Sequence, residues 1–234
     1  MKLVEYHFPH MISASFEIPT DEARRLMPRG IEPVEAWHGS SVLTVTLFEF
    51  DRSPIGPYQE VVLSIFAVPR LIKGDLYPHA AVTPIRLGST HHQARQHAIE
   101  LWHLPHFMED IRIDFTESAD RTRMTGKVFC PRGEEILELN VSHQAGWHPV
   151  THQYQSFQVD STGLYMGKID WIGKLSEHEE GTGSIRFRNH RFFEGLIEPG
   201  AFADSPPMRE MWMRDGVEAY YPITQLSPAE RNPV

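Results

Sequence analysis

The chain has 234 residues, of which 41% are hydrophobic and 23% are charged, and its formal net charge is −9 with histidines counted as neutral. This composition is typical of a globular protein, and an acidic chain without a basic stripe is a poor candidate for binding nucleic acid. No segment approaches the roughly 20 consecutive apolar residues of a membrane helix, so we expect no membrane partner.

Three further features of the sequence bear on the cellular compartment and on the number of domains. The first residues, MKLVEYHFPHMI, lack a basic region followed by an apolar stretch and a cleavage site, so no signal peptide is predicted. Cys130 is the one cysteine, which excludes an intramolecular disulfide and favours a cytoplasmic location. Glycine and proline are spread along the chain as turn residues rather than pooled in a linker, which predicts a single domain over residues 1–234.

The first half of the chain predicts two helices and two strands. A helix is expected over 20–27, with Thr20 as its N-cap and Pro28 after its end. Segments 42–50 and 60–68 are rich in β-branched and aromatic residues and predict strands. A second helix is expected over 89–104, capped by Ser89 or Thr90, with one apolar face made of Ala94, Ala98, Leu101 and Trp102.

The sequence pattern of the second half of the chain predicts mostly strands. Alternation of apolar and polar residues predicts strands over 109–115, 134–142, 153–160 and 184–193. A third helix is expected over 205–215, with Ser205 as cap and Pro206 in its first turn. Many strands with a few short flanking helices predict an α+β, mostly β chain built on a closed or nearly closed antiparallel β-barrel. Such barrels often hold a ligand in the interior or at the mouth.

Two segments carry a resemblance to a known family. The segment IGPYQEVVLS (55–64) resembles the G-x-Y-x-E signature of the acetoacetate decarboxylase-like superfamily, and ARQHAIELWHLPHFMEDI (94–111) resembles its R-E-L/I-x-x-x-P-K-K segment. The segments DEARRLMPRGIEP and GSIRFRNHRFFEGLIEPGAF are similar to an early helix and a late strand of that family. The resemblance covers nearly the whole chain and implies the same barrel fold.

The chain departs from the family where the decarboxylase has its catalytic lysine. The resemblance places that lysine, which forms a Schiff base with a keto group, at His106, and its lysine neighbour at Phe107. An imidazole cannot form a stable imine, so decarboxylation through an imine is disfavoured. Lys168 could reach the pocket from another wall, but lysines usually lie in solvent at sheet edges.

The residues of the two motif segments still suit proton transfer. His106 can have a pKa near neutrality, and the resemblance places Glu60 in the pocket beside the reacting group. Tyr58 could donate to a carbonyl oxygen, or it could pack in the turn beside Pro57. The sequence therefore favours a lyase or isomerase that acts on a small or medium oxo compound by enolisation, dehydration, retro-aldol cleavage or cyclisation. The alternative is a non-catalytic ligand-binding protein with the same fold.

Several other residues are candidates for contacts with the substrate. The family has an arginine for the substrate carboxylate in its N-terminal stretch, where this chain offers only His10 as a polar replacement. Arg86 and Arg95 could bind an anion, although solvated surface charges are the more common role of arginine. Phe107 and Trp102, on either side of the Pro105 turn, are predicted to contact the substrate.

The histidines follow no known metal-ligand spacing, so neither a metal nor another cofactor is expected. The expected partner is a small-molecule oxo substrate. Related barrels commonly assemble into multimers, so the resemblance also implies a homo-oligomer.

The missing lysines give the first testable prediction. Borohydride should trap no keto acid on this protein, because no amine occupies the position that would form an imine. Intact-mass spectrometry after borohydride treatment with acetoacetate measures this directly. A stable adduct mapped to Lys168 would show that imine chemistry has moved to another strand.

Overall fold

The computed structural model describes residues 3–143, 146–179, 182–198, 200–202 and 205–226. The strands and helices in these ranges are β1 (Val4–Pro19), α1 (Thr20–Leu26), β2 (Ser40–Phe50), β3 (Tyr58–Ala67), β4 (Ala80–Ser89), α2 (His92–Trp102), β5 (His106–Met108), β6 (Arg112–Glu117), β7 (Arg123–Phe129), β8 (Glu135–Ser142), β9 (His148–Asp160), β10 (Gly163–Glu179), β11 (Ser184–Phe187), β12 (Arg209–Tyr220) and β13 (Thr224–Leu226).

Seven strands close into a barrel in the order β12-β1-β2-β3-β4-β9-β10, and β10 pairs back onto β12. All these pairings are antiparallel except a short parallel contact between β4 and β9, at Ala80–Val82 and Tyr154–Ser156. Strand β5 extends this sheet beside β4, and β13 pairs with the start of β10. The predicted closed, mostly antiparallel barrel is therefore confirmed.

Strand β2 is buried on both faces, which explains its continuous apolar sequence. Thr46 and Phe48 face the barrel interior, whereas Val45 and Leu47 face outward into a second core. A second sheet, in the order β11-β8-β7-β6, covers that outer face. A strand covered on both sides needs apolar residues at successive positions instead of strict alternation.

A buried carboxylate joins the second sheet to the barrel. Glu210 of β12 is fully buried, and its Oε2 accepts hydrogen bonds from the Ser142 amide at 2.6 Å and the Ser142 hydroxyl at 3.0 Å. Its other oxygen accepts a hydrogen bond from the Gly183 amide. One side chain thus holds the end of β8 and the approach to β11 against the barrel.

Helix α2 lies over one end of the barrel with the predicted face inward, since Ala94, Ala98 and Trp102 are buried. The caps predicted for helices α1 and α2 were wrong. Strand β4 runs through Ser89, so the helix begins later and is capped by His91, whose Nδ1 accepts from the Ala94 amide at 3.1 Å. Helix α1 has no side-chain cap, and Thr20 is its first residue.

In the described ranges, no helix is long and apolar enough to cross a membrane.

The predicted third helix over 205–215 was wrong, because most of this segment belongs to β12. Met211 and Met213 pack in one core, whereas Trp212 between them packs in the other. This two-residue periodicity suits a strand that separates the barrel interior from the second sheet. The serine–proline start signal is local, and pairing with both β1 and β10 overrides it.

The close contact of the two sheets predicts a destabilising substitution at Gly126. A Cβ on Gly126 would lie 2.4 Å from Leu47 Cδ1 and 3.0 Å from Ile12 Cδ1. We expect Gly126→Ala to lower the free energy of unfolding by about 1–3 kcal/mol, as overpacking does. Urea denaturation followed by circular dichroism checks this, with Thr116→Ala on the exposed face of the same sheet as the control. Equal stability of the two variants would contradict this packing.

Candidate active site

The side chains that face the barrel interior enclose a cavity of about 60 Å³. Its wall is mostly apolar, as in other small-molecule sites. Polar groups lie in two places: an acidic end with Glu60, Glu218 and Tyr220, and a hydroxyl-lined part with Thr44, Thr46, Ser64 and Ser156.

Glu60 projects from β3 into the acidic end and is 6% exposed. Its neighbours in the sheet are Phe48 on β2 and Ser89 on β4. Burial raises the pKa of the Glu60 carboxyl well above its ordinary value, and the nearby charge of Glu218 raises it further. Both effects favour the protonated acid over the carboxylate.

Glu218 is the second carboxyl group of the cavity and comes from β12. Trp171 Nε1 donates a hydrogen bond to its Oε1 at 2.9 Å. Burial raises the pKa of Glu218 to about 7, and hydrogen bonding by Trp171 and Tyr220 partly offsets that effect. Two neighbouring carboxyl groups with raised pKa values in one apolar cavity can divide the roles of acid and base between them.

Glu218 is a residue of the site that was not predicted from the sequence. It lies far along the chain from both motif segments, in the strand-like sequence GVEAYYPI. A usable signal was present, because Glu218 shares one face of that strand with Tyr220. An acidic residue on a face that also carries a buried aromatic side chain indicates a polar group in a barrel interior.

An aromatic cluster closes the acidic end of the barrel. Trp102 Nε1 donates to the Tyr6 hydroxyl at 2.7 Å, and that hydroxyl also lies 2.5 Å from His97 Nε2. The Trp102 ring packs on Tyr220 with 4.5 Å between ring centroids. Trp102 was predicted to contact the substrate, but it lies behind Tyr220 and does not belong to the cavity lining.

Tyr58 also lies behind the cavity wall. Its ring packs against Phe50, with 4.7 Å between centroids, and against Tyr6. It is close enough to Glu60 that the carboxylate charge, after burial, raises the pKa of its phenol. Two phenols belong to the described lining of the cavity, those of Tyr154 and Tyr220, and Tyr220 is the one at the acidic end.

His106 occupies β5 beside Leu87 and is 9% exposed. Its Nε2 lies 2.7 Å from Ser89 Oγ, and its Nδ1 has no hydrogen-bond partner among the described residues. Burial, followed by the charge of Arg95, lowers the pKa of the imidazole to about 4, so the ring is neutral at pH 7.

The structure does not place His106 in the cavity with Glu60. From the segment after α2, the residue in the cavity lining is Leu104. The link between the two predicted catalytic residues runs through Ser89, which bonds to His106 and lies directly across the sheet from Glu60.

The other predicted substrate contacts also lie outside this cavity. His10 is half-buried, and its Nδ1 accepts from Trp212 Nε1 at 3.5 Å. Arg86 donates to the Phe192 carbonyl oxygen at 3.0 Å and lies over the ring of Phe107, 4.2 Å from its centroid. Phe107 is 42% exposed.

Arg95 is half-buried on α2, where its charge acts on His106. Lys168 forms an ion pair with Asp75 and is not part of the cavity lining. Neither lysine nor arginine occurs among the described residues that line the cavity. Across the described ranges, no three His, Cys, Asp or Glu side chains form a group that could hold a metal ion.

Comparison with solved structures identifies the fold. An acetoacetate decarboxylase structure superimposes with a TM-score of 0.67 at 10% identity, covering 97% of this chain and 90% of the other. The chain has the acetoacetate decarboxylase-like fold. The acetoacetate decarboxylase of Legionella pneumophila subsp. pneumophila str. Philadelphia 1 gives a TM-score of 0.63 at 12% identity, covering 97% of this chain and 87% of the other.

A third similar structure is the enduracididine biosynthesis enzyme MppR, complexed with the condensation product of pyruvate and imidazole 4-carboxaldehyde. It gives a TM-score of 0.59 at 13% identity and covers 97% of this chain and 90% of the other. No protein-family model and no curated protein matches the sequence. At sequence identities of 10–13%, the similarity to these solved structures establishes the fold alone.

The raised pKa of Glu218 predicts a pH-dependent stability. Between pH 4.5 and about 7 the unfolded chain releases this proton while the folded chain keeps it, so the free energy of unfolding falls as pH rises. A full shift corresponds to about 3 kcal/mol. We therefore expect Glu218→Gln to gain stability relative to the wild type as pH rises through this window.

Urea denaturation at pH 4.5, 6 and 8 measures the difference. Glu100→Gln, on the exposed side of α2, is the matched control and should follow the wild type at every pH. Parallel pH profiles for Glu218→Gln and the wild type would rule out a buried, proton-holding carboxyl at this position.

Proposed function

We propose that the protein is an acid–base enzyme, a lyase or isomerase, that enolises a small oxo compound without a lysine Schiff base. The observation that supports this most is the pair of buried carboxyl groups, Glu60 and Glu218, at one end of a mostly apolar cavity. Structures of the same fold include acetoacetate decarboxylases and MppR, which was complexed with a condensation product of pyruvate.

In the proposed step, the Glu218 carboxylate removes a proton from the carbon next to the substrate carbonyl. The protonated Glu60 donates its proton to the carbonyl oxygen, which gives the neutral enol. Tyr220 donates its phenolic hydrogen to the Glu218 carboxylate and holds it in position, so the carbonyl-donor role predicted for Tyr58 falls to Glu60. No electron sink on an amine is needed, because the developing negative charge on oxygen is neutralised by Glu60.

His106 has a supporting role in this proposal. Its neutral ring is hydrogen-bonded to Ser89, the cross-strand neighbour of Glu60. We infer that this contact orients the wall around Glu60, and that proton transfer to the substrate belongs to the two carboxyl groups.

Exchange of substrate hydrogens with solvent tests the proposal. The wild type should exchange the hydrogens next to the carbonyl of butanone for deuterium in D2O, followed by proton NMR. Glu60→Gln and Glu218→Gln should each slow the catalysed exchange by about 100-fold or more, the usual contribution of a general acid or base. Their melting temperatures near pH 5 should stay close to that of the wild type, because the raised pKa values of both carboxyl groups favour their neutral form at low pH.

Two comparisons make the result decisive. Glu100→Gln should exchange butanone at the wild-type rate, and His106→Ala should lose less activity than either cavity variant. If His106→Ala abolishes exchange while Glu218→Gln remains active, the acid–base pair is instead Glu60 with His106.

A non-catalytic binding protein is the second candidate, and the position of His106 favours it. A decarboxylase-like enzyme with histidine in place of lysine would be expected to direct that histidine into the pocket, whereas Leu104 lies there. Butanone that binds the wild type without any exchange of its hydrogens would establish this alternative.

A further inference from the structure

The exposed apolar side chains of the described residues are concentrated in one loop. This loop joins β3 to β4 over residues 68–77, and we call it the apolar loop. Leu76 is 80% exposed and Tyr77 is 72% exposed. Of the eleven large apolar side chains that are exposed in the described ranges, five belong to the apolar loop: Val68, Leu71, Ile72, Leu76 and Tyr77. Such a concentration on a folded surface indicates an interaction site.

The apolar loop is held in place although its side chains are exposed. The buried Gln155 side chain accepts a hydrogen bond from the Arg70 amide at 2.7 Å and donates one to the Arg70 carbonyl oxygen at 2.7 Å. Asp75 forms an ion pair with Lys168, and its amide donates to the Ile72 carbonyl oxygen at 3.0 Å. The exposed surface of the loop is therefore already ordered, which lowers the entropy cost of binding a partner.

An apolar groove of about 570 Å³ lies at the same end of the barrel as the apolar loop, and we call it the end groove. Phe66, in its wall, comes two residues before the loop begins. The Val34 amide donates to the Phe66 carbonyl oxygen at 2.9 Å, and the Val68 amide donates to the Glu32 carbonyl oxygen at 2.9 Å. The loop and the groove are therefore neighbours. The apolar lining of the end groove is Val34, Ala36, Trp37, Val42, Phe66, Pro206, Pro207 and Met208.

The loop and the groove carry opposite charges. Lys73 lies exposed in the turn of the apolar loop and forms no ion pair within the described residues. In the end groove, Glu179 is paired with Arg209 at 2.8 Å, whereas Glu17 is exposed and has no ion-pair partner in the part of the chain that the structure describes. Packing of one loop on the same loop of another copy would bring like charges together. A loop placed in the groove of another copy would bring Lys73 towards Glu17.

The apolar loop cannot fill the end groove of its own chain. Tyr154 and Ser156 face the cavity, so Gln155 between them faces outward. Gln155 and Lys168 therefore hold the loop on the outside of β9 and β10. A symmetric pair of copies solves this, because each copy can place its loop in the groove of the other. The same contact then occurs twice in each dimer.

We propose that the chain forms a two-fold dimer in which the apolar loop of each copy lies in the end groove of the other, with Lys73 beside Glu17 of the partner subunit. This assembly covers both the exposed loop and the exposed Trp37 of the groove, which is 59% exposed in one chain. It does not depend on the proposed reaction.

Sedimentation velocity over a range of protein concentrations tests the dimer. The wild type should sediment at twice the mass of one chain at micromolar concentration. Leu76→Asp should raise the dissociation constant by at least about a hundredfold, because each dimer loses two buried leucine side chains. Ile99→Asp, at an exposed apolar residue of α2, is the matched control and should dimerise like the wild type. Unchanged melting temperatures of single chains at low concentration would show that both variants are folded.

Exchange of charges identifies the contact within the dimer. Lys73→Glu and Glu17→Lys should each weaken the dimer by about tenfold at low ionic strength, because an attraction becomes a repulsion. Mixed in equal amounts, the two variants should recover the wild-type affinity, since both contacts of the heterodimer again join opposite charges. Arg123→Glu, at an exposed residue of the second sheet, should change nothing.

Three outcomes would overturn the proposal. The first is a wild type that stays monomeric at high concentration, and the second is a dimer that Leu76→Asp leaves intact. The third is a dimer that Lys73→Glu dissociates but Glu17→Lys does not, because the loop would then contact another surface of the partner. Recovery of affinity in the mixture, with neither variant dimerising alone, would establish the loop-in-groove contact.

Discussion

Closure of the barrel is the constraint on which the site depends. Strand β12 pairs with β1 on one side and with β10 on the other, so the main sheet has no free edge there. In a closed sheet every residue faces either inward or outward, and a register shift of one residue would exchange the two faces. The present register directs Glu60 and Glu218 inward and gives them a water-poor environment. Their perturbed acidity therefore follows from backbone pairing at distant points of the chain.

The cavity brings two acids together without a cation to compensate them. In the family that the sequence resembles, an amine accepts the electrons of the reaction. Here the described lining contains no amine, and burial raises the pKa of Glu60 well above its ordinary value beside Glu218, whose pKa is raised to about 7. Helix α2 supports this arrangement, since His97 and Trp102 hold Tyr6 across the barrel end. The aromatic cluster thus excludes water where a low dielectric constant strengthens the interaction of the two acids with a carbonyl group.

Much of the barrel could be predicted from the sequence, and less of the site. Strands β2 and β3 carry β-branched residues in runs that suit burial on two faces, and the G-x-Y-x-E resemblance directed attention to Glu60, which does lie in the cavity. The turn at Pro105 could not be resolved from spacing, because whether Leu104 or His106 faces inward depends on how β5 docks beside β4. Glu218 was missed because its partner in the cavity lies on a strand distant in sequence. The wrong helix over 205–215 shows that a local start signal yields to pairing with two neighbouring strands.

The pairing of β1 with β12 also bears on how the protein is made in the cell. Val4 lies opposite Tyr220, so the first barrel strand to leave the ribosome must wait for one of the last before it gains that neighbour. Until then β1 has an unpaired edge, which is a surface prone to association with other chains. The carboxyl pair forms only at that final stage, because Glu218 arrives with β12. A chain truncated before β12 would therefore expose an unpaired, aggregation-prone edge of β1, and it would lack the second carboxyl group of the cavity.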